Sequence, residues 1–193
     1  TAHLAAELLD RYHYKPIPLD DALSVKIFDN YLKALDAERL IFVQTDIDRM
    51  DGIRSRLDDA IRNESLDVPF AIFEFHAQRL SERMAYARGL LREGFDFSQR
   101  EHHQAMRQRE PWAKTEEDIR DLWRKGVKSE WLNLKLAGNS DKDIVRILEQ
   151  RYDNTSKRIS RLGNEDAFQA FMNAYTMSIE PHSSFRGPRA AEK

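Results

Sequence analysis

The apolar residues of this chain recur at steps of three and four along most of its length, the spacing that places them on one face of an α-helix. Residues 19–35 are typical, and their apolar stripe consists of Leu23, Ile27, Phe28, Tyr31, Leu32 and Leu35. No segment of useful length alternates with the two-residue period of a half-buried strand, apart from a short option at residues 40–43. The pattern predicts an all-α protein.

Start and stop signals divide the chain into a series of helices. Side chains that accept the first free backbone N–H groups stand at the expected starts, and Gly or Pro stands at the expected ends. After the first stripe, these signals predict helices over residues 45–61, 67–94, 115–138, 140–163 and 164–179. The first dozen residues also look helical, so we expect a bundle of six to seven helices with an extended C-terminal arm.

The helix predicted over residues 115–138 raises the question of which side faces the core. The stripe assigned to the core consists of Ile119, Leu122, Trp123, Val127, Leu132 and Leu136. Trp131 falls off this line, so we expect Trp131, together with Leu134, to contact a partner or a neighbouring domain. The polar residues 95–110 before this helix are interpreted as a connector or an exposed helix.

Composition excludes several classes of function. The 193 residues suffice for one domain, and 31 Lys and Arg against 33 Asp and Glu give no global field that would attract nucleic acid or anionic lipid. The absence of cysteine excludes disulfides, cysteine-ligated zinc and a thiol nucleophile. No apolar run approaches the roughly 20 residues that a membrane crossing needs.

The segment EPHSSFRGPR places an acid, a histidine and two serines together at Glu180, His182, Ser183 and Ser184. A Ser-His-acid triad is normally assembled from separate elements, and the neighbouring prolines favour an extended chain. We therefore interpret the segment as a linker. Phosphate-binding glycine clusters and His-Glu-x-x-His or Glu-x-x-His metal motifs are missing, so we expect no cofactor and no metal.

Three stretches of the sequence carry a family resemblance. They are LLDRYHYKPIPLDDALSVKIFDNYLKALDAERLIF, EPWAKTEEDIRDLWRKGVKSEWLNLKLAG and FQAFMNAYTMSIEPHSSFRGPRAAE, which run in order from about Leu8 to the end. Together they resemble the N-terminal helical domain of the bacterial tail-specific proteases, also called C-terminal processing peptidases.

This resemblance implies a helical domain over residues 1–179 and a connector over residues 180–193 that leads towards a PDZ domain. The connector residues are Pro181, His182, Ser183, Ser184, Phe185 and Pro188. The family consists of periplasmic serine endopeptidases with a Ser-Lys dyad, and that dyad would lie beyond residue 193. No catalytic residue is therefore assigned here. The implied partners are the protein's own PDZ and protease domains, unfolded protein C-termini as substrates, and a lipoprotein adaptor.

The sequence supports two hypotheses of function, and the first rests on the resemblance. The first is a non-catalytic scaffold that positions the PDZ and protease domains and restricts substrate access. The second is a free-standing helical adaptor that docks a partner on Trp131 or on the apolar residues near Leu134. A nucleic-acid-binding bundle is disfavoured, because acidic neighbours such as Asp153 interrupt the basic residues 151–161.

Overall fold

The computed structural model describes residues 17–180 and Phe185 of the chain. Its α-helices in chain order are α1 (Asp21–Leu35), α2 (Gln44–Met50), α3 (Leu57–Arg62), α4 (Asp67–Glu93), α5 (Glu116–Leu136), α6 (Asp141–Ile159) and α7 (Asn164–Ile179). The described residues contain no strand beyond an isolated bridge between Val43 and Ala113. The predicted all-α class is confirmed, whereas the helix expected in the first dozen residues lies outside the described part.

Local capping signals locate the helix ends well. The Thr115 hydroxyl accepts from the Asp118 backbone N–H at 3.1 Å, and the Asp118 carboxylate accepts from the Thr115 N–H at 3.1 Å, which completes a capping box before α5. Ser140 caps α6 through the Asp143 N–H at 3.2 Å. Gly94 and Gly138 follow α4 and α5 with positive φ angles of 74° and 89°, which glycine adopts without a Cβ clash.

The described residues divide into two compact units. Unit 1 contains residues 17–37, 48–75, 162–180 and Phe185, and unit 2 contains residues 38–47 and 76–161. Helix α4 contributes residues to both units. Among the helices of the described ranges, none combines the length and the apolar character that a membrane crossing requires. The domain boundary at residue 179 stays a prediction.

The core of unit 1 forms where α1 packs against α7 and α3. All six residues of the predicted α1 stripe are buried. The ring of Tyr31 meets that of Phe171 edge-on, with the centroids 5.5 Å apart, and its hydroxyl donates to the Pro69 carbonyl at 3.0 Å. Burial raises the pKa of Tyr31, so the neutral phenol is favoured as a donor in this core.

The single helix predicted over residues 45–61 is wrong. Helix α2 ends at Met50, a short 3₁₀-helix spans Asp51–Ile53, and α3 begins at Leu57. The buried Ser24 hydroxyl on α1 donates to the Arg54 carbonyl at 2.9 Å and accepts from the Leu57 N–H at 2.7 Å. A side chain from another helix therefore satisfies the backbone at the break, which a local reading of the sequence misses.

The core of unit 2 corrects the prediction for α5. Trp131 is only 6% exposed and packs edge-on against Phe95 at a centroid distance of 5.7 Å, whereas Leu132 and Leu136 are 41% and 78% exposed. The core line runs through Ile119, Val127 and Trp131 at multiples of four residues. Since adjacent residues point about 100° apart on a helix, burying the large Trp131 indole turns Leu132 outward. The expected exposure of Trp131 and burial of these leucines are wrong.

Ion pairs attach residues 38–47 to the helices of unit 2. The fully buried Asp46 carboxylate accepts from Arg79 on α4 at 2.6 Å. The Arg83 guanidinium binds both oxygens of Glu116 at 2.6 and 3.1 Å and donates to the Ile41 carbonyl at 3.2 Å. The hydrogen bond that Arg79 donates to Asp46 raises the pKa of Arg79, and the one that Glu116 accepts from Arg83 lowers the pKa of Glu116, so both groups stay charged.

The irregular segment between α4 and α5 is fastened to the rest of unit 2 by side chains. The Glu38 carboxylate accepts from the Arg107 backbone N–H at 2.6 Å. The Glu101 carboxylate accepts from the Arg124 guanidinium, at 3.1 Å for one nitrogen, and from the Lys128 ammonium. Residues 95–110 are thus a connector with defined attachments rather than an exposed helix, and we call them the α4–α5 connector.

Replacing Ser24 by Ala tests the break between α2 and α3. The substitution removes the hydroxyl that accepts from the Leu57 N–H, which leaves a buried donor unsatisfied. We expect the free energy of unfolding to fall by about 2 kcal/mol. Chemical denaturation with urea measures this free energy. The control is Ser55→Ala, which changes an exposed serine in the turn between α2 and α3. We expect it to change stability by less than about 0.5 kcal/mol. Equal stability of Ser24→Ala and wild type would contradict this account.

The titration of Glu101 tests the attachment of the α4–α5 connector to α5. Hydrogen bonds from Arg124 and then Lys128 lower the pKa of Glu101 from 4.5 to about 2. Because the folded-state pKa is lowered, the stabilisation is present above pH 4.5 and is lost as the pH falls towards 2. NMR of the side-chain carboxyl carbon should show this low midpoint, and Arg124→Gln should raise it.

The control for that titration is Arg146→Gln, which removes a guanidinium paired with Asp143 at 3.0 Å on α6. We expect this variant to leave the Glu101 midpoint unchanged. A wild-type midpoint near the ordinary value of 4.5 would show that Arg124 and Lys128 do not bind Glu101 as described.

Candidate functional site

Phe185, the described residue of the predicted connector, is fastened to α7 by three side chains. Its backbone N–H donates to the Asn173 side-chain oxygen at 2.7 Å, and its carbonyl accepts from the Gln169 amide. Its ring meets that of Phe168 edge-on, with the centroids 5.6 Å apart and the planes at 86°. Both backbone polar groups and the ring of Phe185 are therefore held in one position on unit 1.

The local sequence explains why α7 can provide this attachment. Gln169 and Asn173 are four residues apart, so their side chains project from the same face of the helix, and Phe168 lies beside them. All three side chains are half-buried, whereas the neighbouring Phe171 and Met172 are fully buried in the core of unit 1. The helix thus packs one face into unit 1 and uses another to bind Phe185.

The remaining predicted connector residues, Pro181, His182, Ser183, Ser184 and Pro188, lie outside the described residues. The predicted contact pair on α5 is placed differently from the expectation. Trp131 belongs to the buried core of unit 2, and Leu134 packs half-buried against the same cluster. A contact role for Trp131 and Leu134 stays a prediction, although the exposed apolar residues of α5 are Leu132 and Leu136.

A second surface, which the sequence did not predict, is a groove in unit 2 that we call the α5 groove. Its volume is about 580 Å³, and it lies between the α4–α5 connector and α5. The α4–α5 connector contributes Phe97 and residues 99–103 to its lining. Helix α5 contributes Lys125, Lys128, Ser129 and Leu132. This volume falls within the range of ordinary ligand pockets.

The α5 groove combines positive charge with an aromatic floor. The ammonium groups of Lys128 and Lys135 lie 5.7 and 5.8 Å from the centroid of the Phe97 ring, within cation–π range. Phe97 nevertheless remains 38% exposed. Arg100 also lines the groove, and its guanidinium has no ion-pair partner among residues 17–180. The groove therefore presents one guanidinium without an ion-pair partner in the described ranges, that of Arg100, beside accessible apolar surface.

The chemical groups of the groove are suited to binding. Ser129 and His103 both line it, but no hydrogen bond joins them in the described structure, and a nucleophilic serine needs its base at about 2.6–3.2 Å. Over residues 17–180, no group of three or more His, Asp or Glu side chains is arranged to hold a metal ion. Charge and apolar contact are what the geometry offers to a ligand.

Comparison with known proteins places these observations in a family. The model of the family described as "Tail specific protease N-terminal domain" matches residues 5–189 of the chain. The "Tail-specific protease" of Haemophilus influenzae is 33% identical over 189 residues, which are 97% of this chain and 27% of that protein. The chain thus spans about a quarter of the length of this relative. It belongs to the tail-specific protease family, in which it corresponds to the N-terminal domain.

Proposed function

We propose that this domain is a non-catalytic support of a tail-specific serine protease. It positions a PDZ domain and a protease domain and limits the access of substrates to them. In this role the peptide bond is cleaved by a Ser-Lys dyad that other parts of the protein supply. The substrates are polypeptides with unfolded C-termini, and the protein works in the bacterial envelope, in the periplasm.

The observation that supports this proposal best is the attachment of Phe185 to α7. A domain that follows the connector is oriented only if the connecting chain leaves the helical domain at a fixed point. Two hydrogen bonds and a ring contact hold Phe185, which supports a fixed point at this residue. The contacts of Phe185 within unit 1 then offset the conformational entropy that the chain loses when it is ordered, before any further domain docks.

Restricted access follows from the same rigidity. A surface of packed helices keeps its shape when a folded substrate contacts it, so the folded substrate is excluded. An unstructured chain is narrow enough to pass beside the same surface. The core contacts of unit 1, such as the Tyr31–Phe171 pair, favour such a rigid element. The family match supports this role over that of a free-standing adaptor module. A lipoprotein adaptor remains a further proposed partner of the same domain.

Replacing Phe185 by Ala in the full-length protease tests the proposed role. The substitution removes the ring contact with Phe168 and leaves the two backbone hydrogen bonds. We expect the preference for an unfolded over a folded reporter with the same C-terminal tail to fall about tenfold, because the aromatic contact and its burial contribute roughly 1–2 kcal/mol. The ratio of the two cleavage rates is the measurement.

The matched control is Met106→Ala, which removes an exposed apolar side chain elsewhere in the domain. We expect this variant to keep the wild-type ratio. Phe185→Ala combined with Asn173→Ala removes the ring contact and one of the hydrogen bonds. If this double variant cleaved both reporters at wild-type rates, the attachment would have no part in substrate selection and the proposed role would be wrong.

A further inference from the structure

We propose that the α5 groove docks a segment of another polypeptide in which apolar side chains stand beside carboxylates. This is a second recognition surface of the domain, separate from the Phe185 attachment and independent of any cleavage. The occupant we commit to is an acidic, apolar peptide segment that binds in trans.

The first argument is charge complementarity. The fixed charges of the groove lining are those of Arg100, Lys125 and Lys128 against the single carboxylate of Glu101. Glu101 already accepts from Arg124 and Lys128, so its charge is compensated within the domain. Lys125 pairs with Asp121 at 2.6 Å, whereas Arg100 has no such partner in the described ranges. A carboxylate in the groove would find the Arg100 guanidinium available for a charge-assisted hydrogen bond.

The second argument is the apolar surface that the groove leaves exposed. Phe97 and Leu132 line it, and Leu136 lies four residues beyond Leu132 on the same face of α5. This exposure is a consequence of the burial of Trp131 and not of a weak core. An apolar side chain inserted between Phe97 and Leu132 would remove both from water.

The third argument decides between a peptide and a nucleic acid. A single-stranded nucleic acid needs a basic path that follows its phosphates beyond the stacking site. Here the exposed Leu136 lies one turn beyond the groove residue Leu132 on α5, and Lys135 is placed over the Phe97 ring. Leucine side chains favour an apolar partner, so the combination favours a peptide with alternating acidic and apolar groups.

Fluorescence anisotropy with a labelled peptide tests the proposal directly. The probe contains two leucines flanked by glutamates, and a matched probe carries glutamine in place of each glutamate. We expect the full chain to bind the acidic probe in the micromolar range and the neutral probe about tenfold more weakly. Added salt should weaken the binding of the acidic probe, because it screens surface charges.

Two substitutions divide the proposal into its parts. Arg100→Glu reverses the available charge, and Leu132→Ser removes the exposed apolar contact; each should weaken binding of the acidic probe about tenfold. Both side chains are exposed, so circular dichroism should show an unchanged helix content. The matched controls are Arg146→Glu on α6 and Met106→Ser in the α4–α5 connector. Both should keep the wild-type affinity.

Three outcomes would overturn the proposal. They are equal affinity for the acidic and neutral probes, wild-type affinity in both Arg100→Glu and Leu132→Ser, and tighter binding of a single-stranded oligonucleotide than of the acidic peptide. Because the readout is binding to the domain and not cleavage, these outcomes leave the proposed role of the Phe185 attachment untouched. Failure of the cleavage test leaves this binding test equally untouched.

Discussion

The backbone between the helices of an all-α protein must find hydrogen-bond partners without a sheet, and the rest of this structure depends on how it does so. Side chains on the helices supply many of these partners. Ser24 binds the break before α3, Trp123 donates to the Leu40 carbonyl at 2.6 Å, and Asn173 accepts from the Phe185 N–H. Each contact fixes an irregular segment to a helix.

The same constraint explains which elements could be predicted from the sequence. The caps at Thr115 and Ser140 were predictable because donor and acceptor lie three residues apart. The break between α2 and α3 was not, because its hydroxyl comes from Ser24, 33 residues before Leu57. A pattern of apolar residues cannot report such a partner, and it favoured one continuous helix instead.

The candidate surfaces show the same division. The connector is a prediction that rests on the family resemblance, whereas the attachment of Phe185 to Gln169 and Asn173 depends on contacts across 16 and 12 residues. The α5 groove was missed because the rotation of α5 depends on whether Trp131 or Leu132 enters the core. Leu132 and Leu136 looked like core residues by spacing alone, and only the packing of Trp131 against Phe95 turns them outward.

In the role that we propose, the domain holds other parts of the protease in place, and Phe185 is the residue at which the connecting chain is fixed. The most direct measurement is amide hydrogen exchange at Phe185, followed by NMR in the 193-residue chain. A hydrogen bond to Asn173 predicts exchange slower than that of an unstructured chain by about tenfold or more. Exchange at the rate of an unstructured chain would contradict the account, because the connector would then leave the domain without a fixed point.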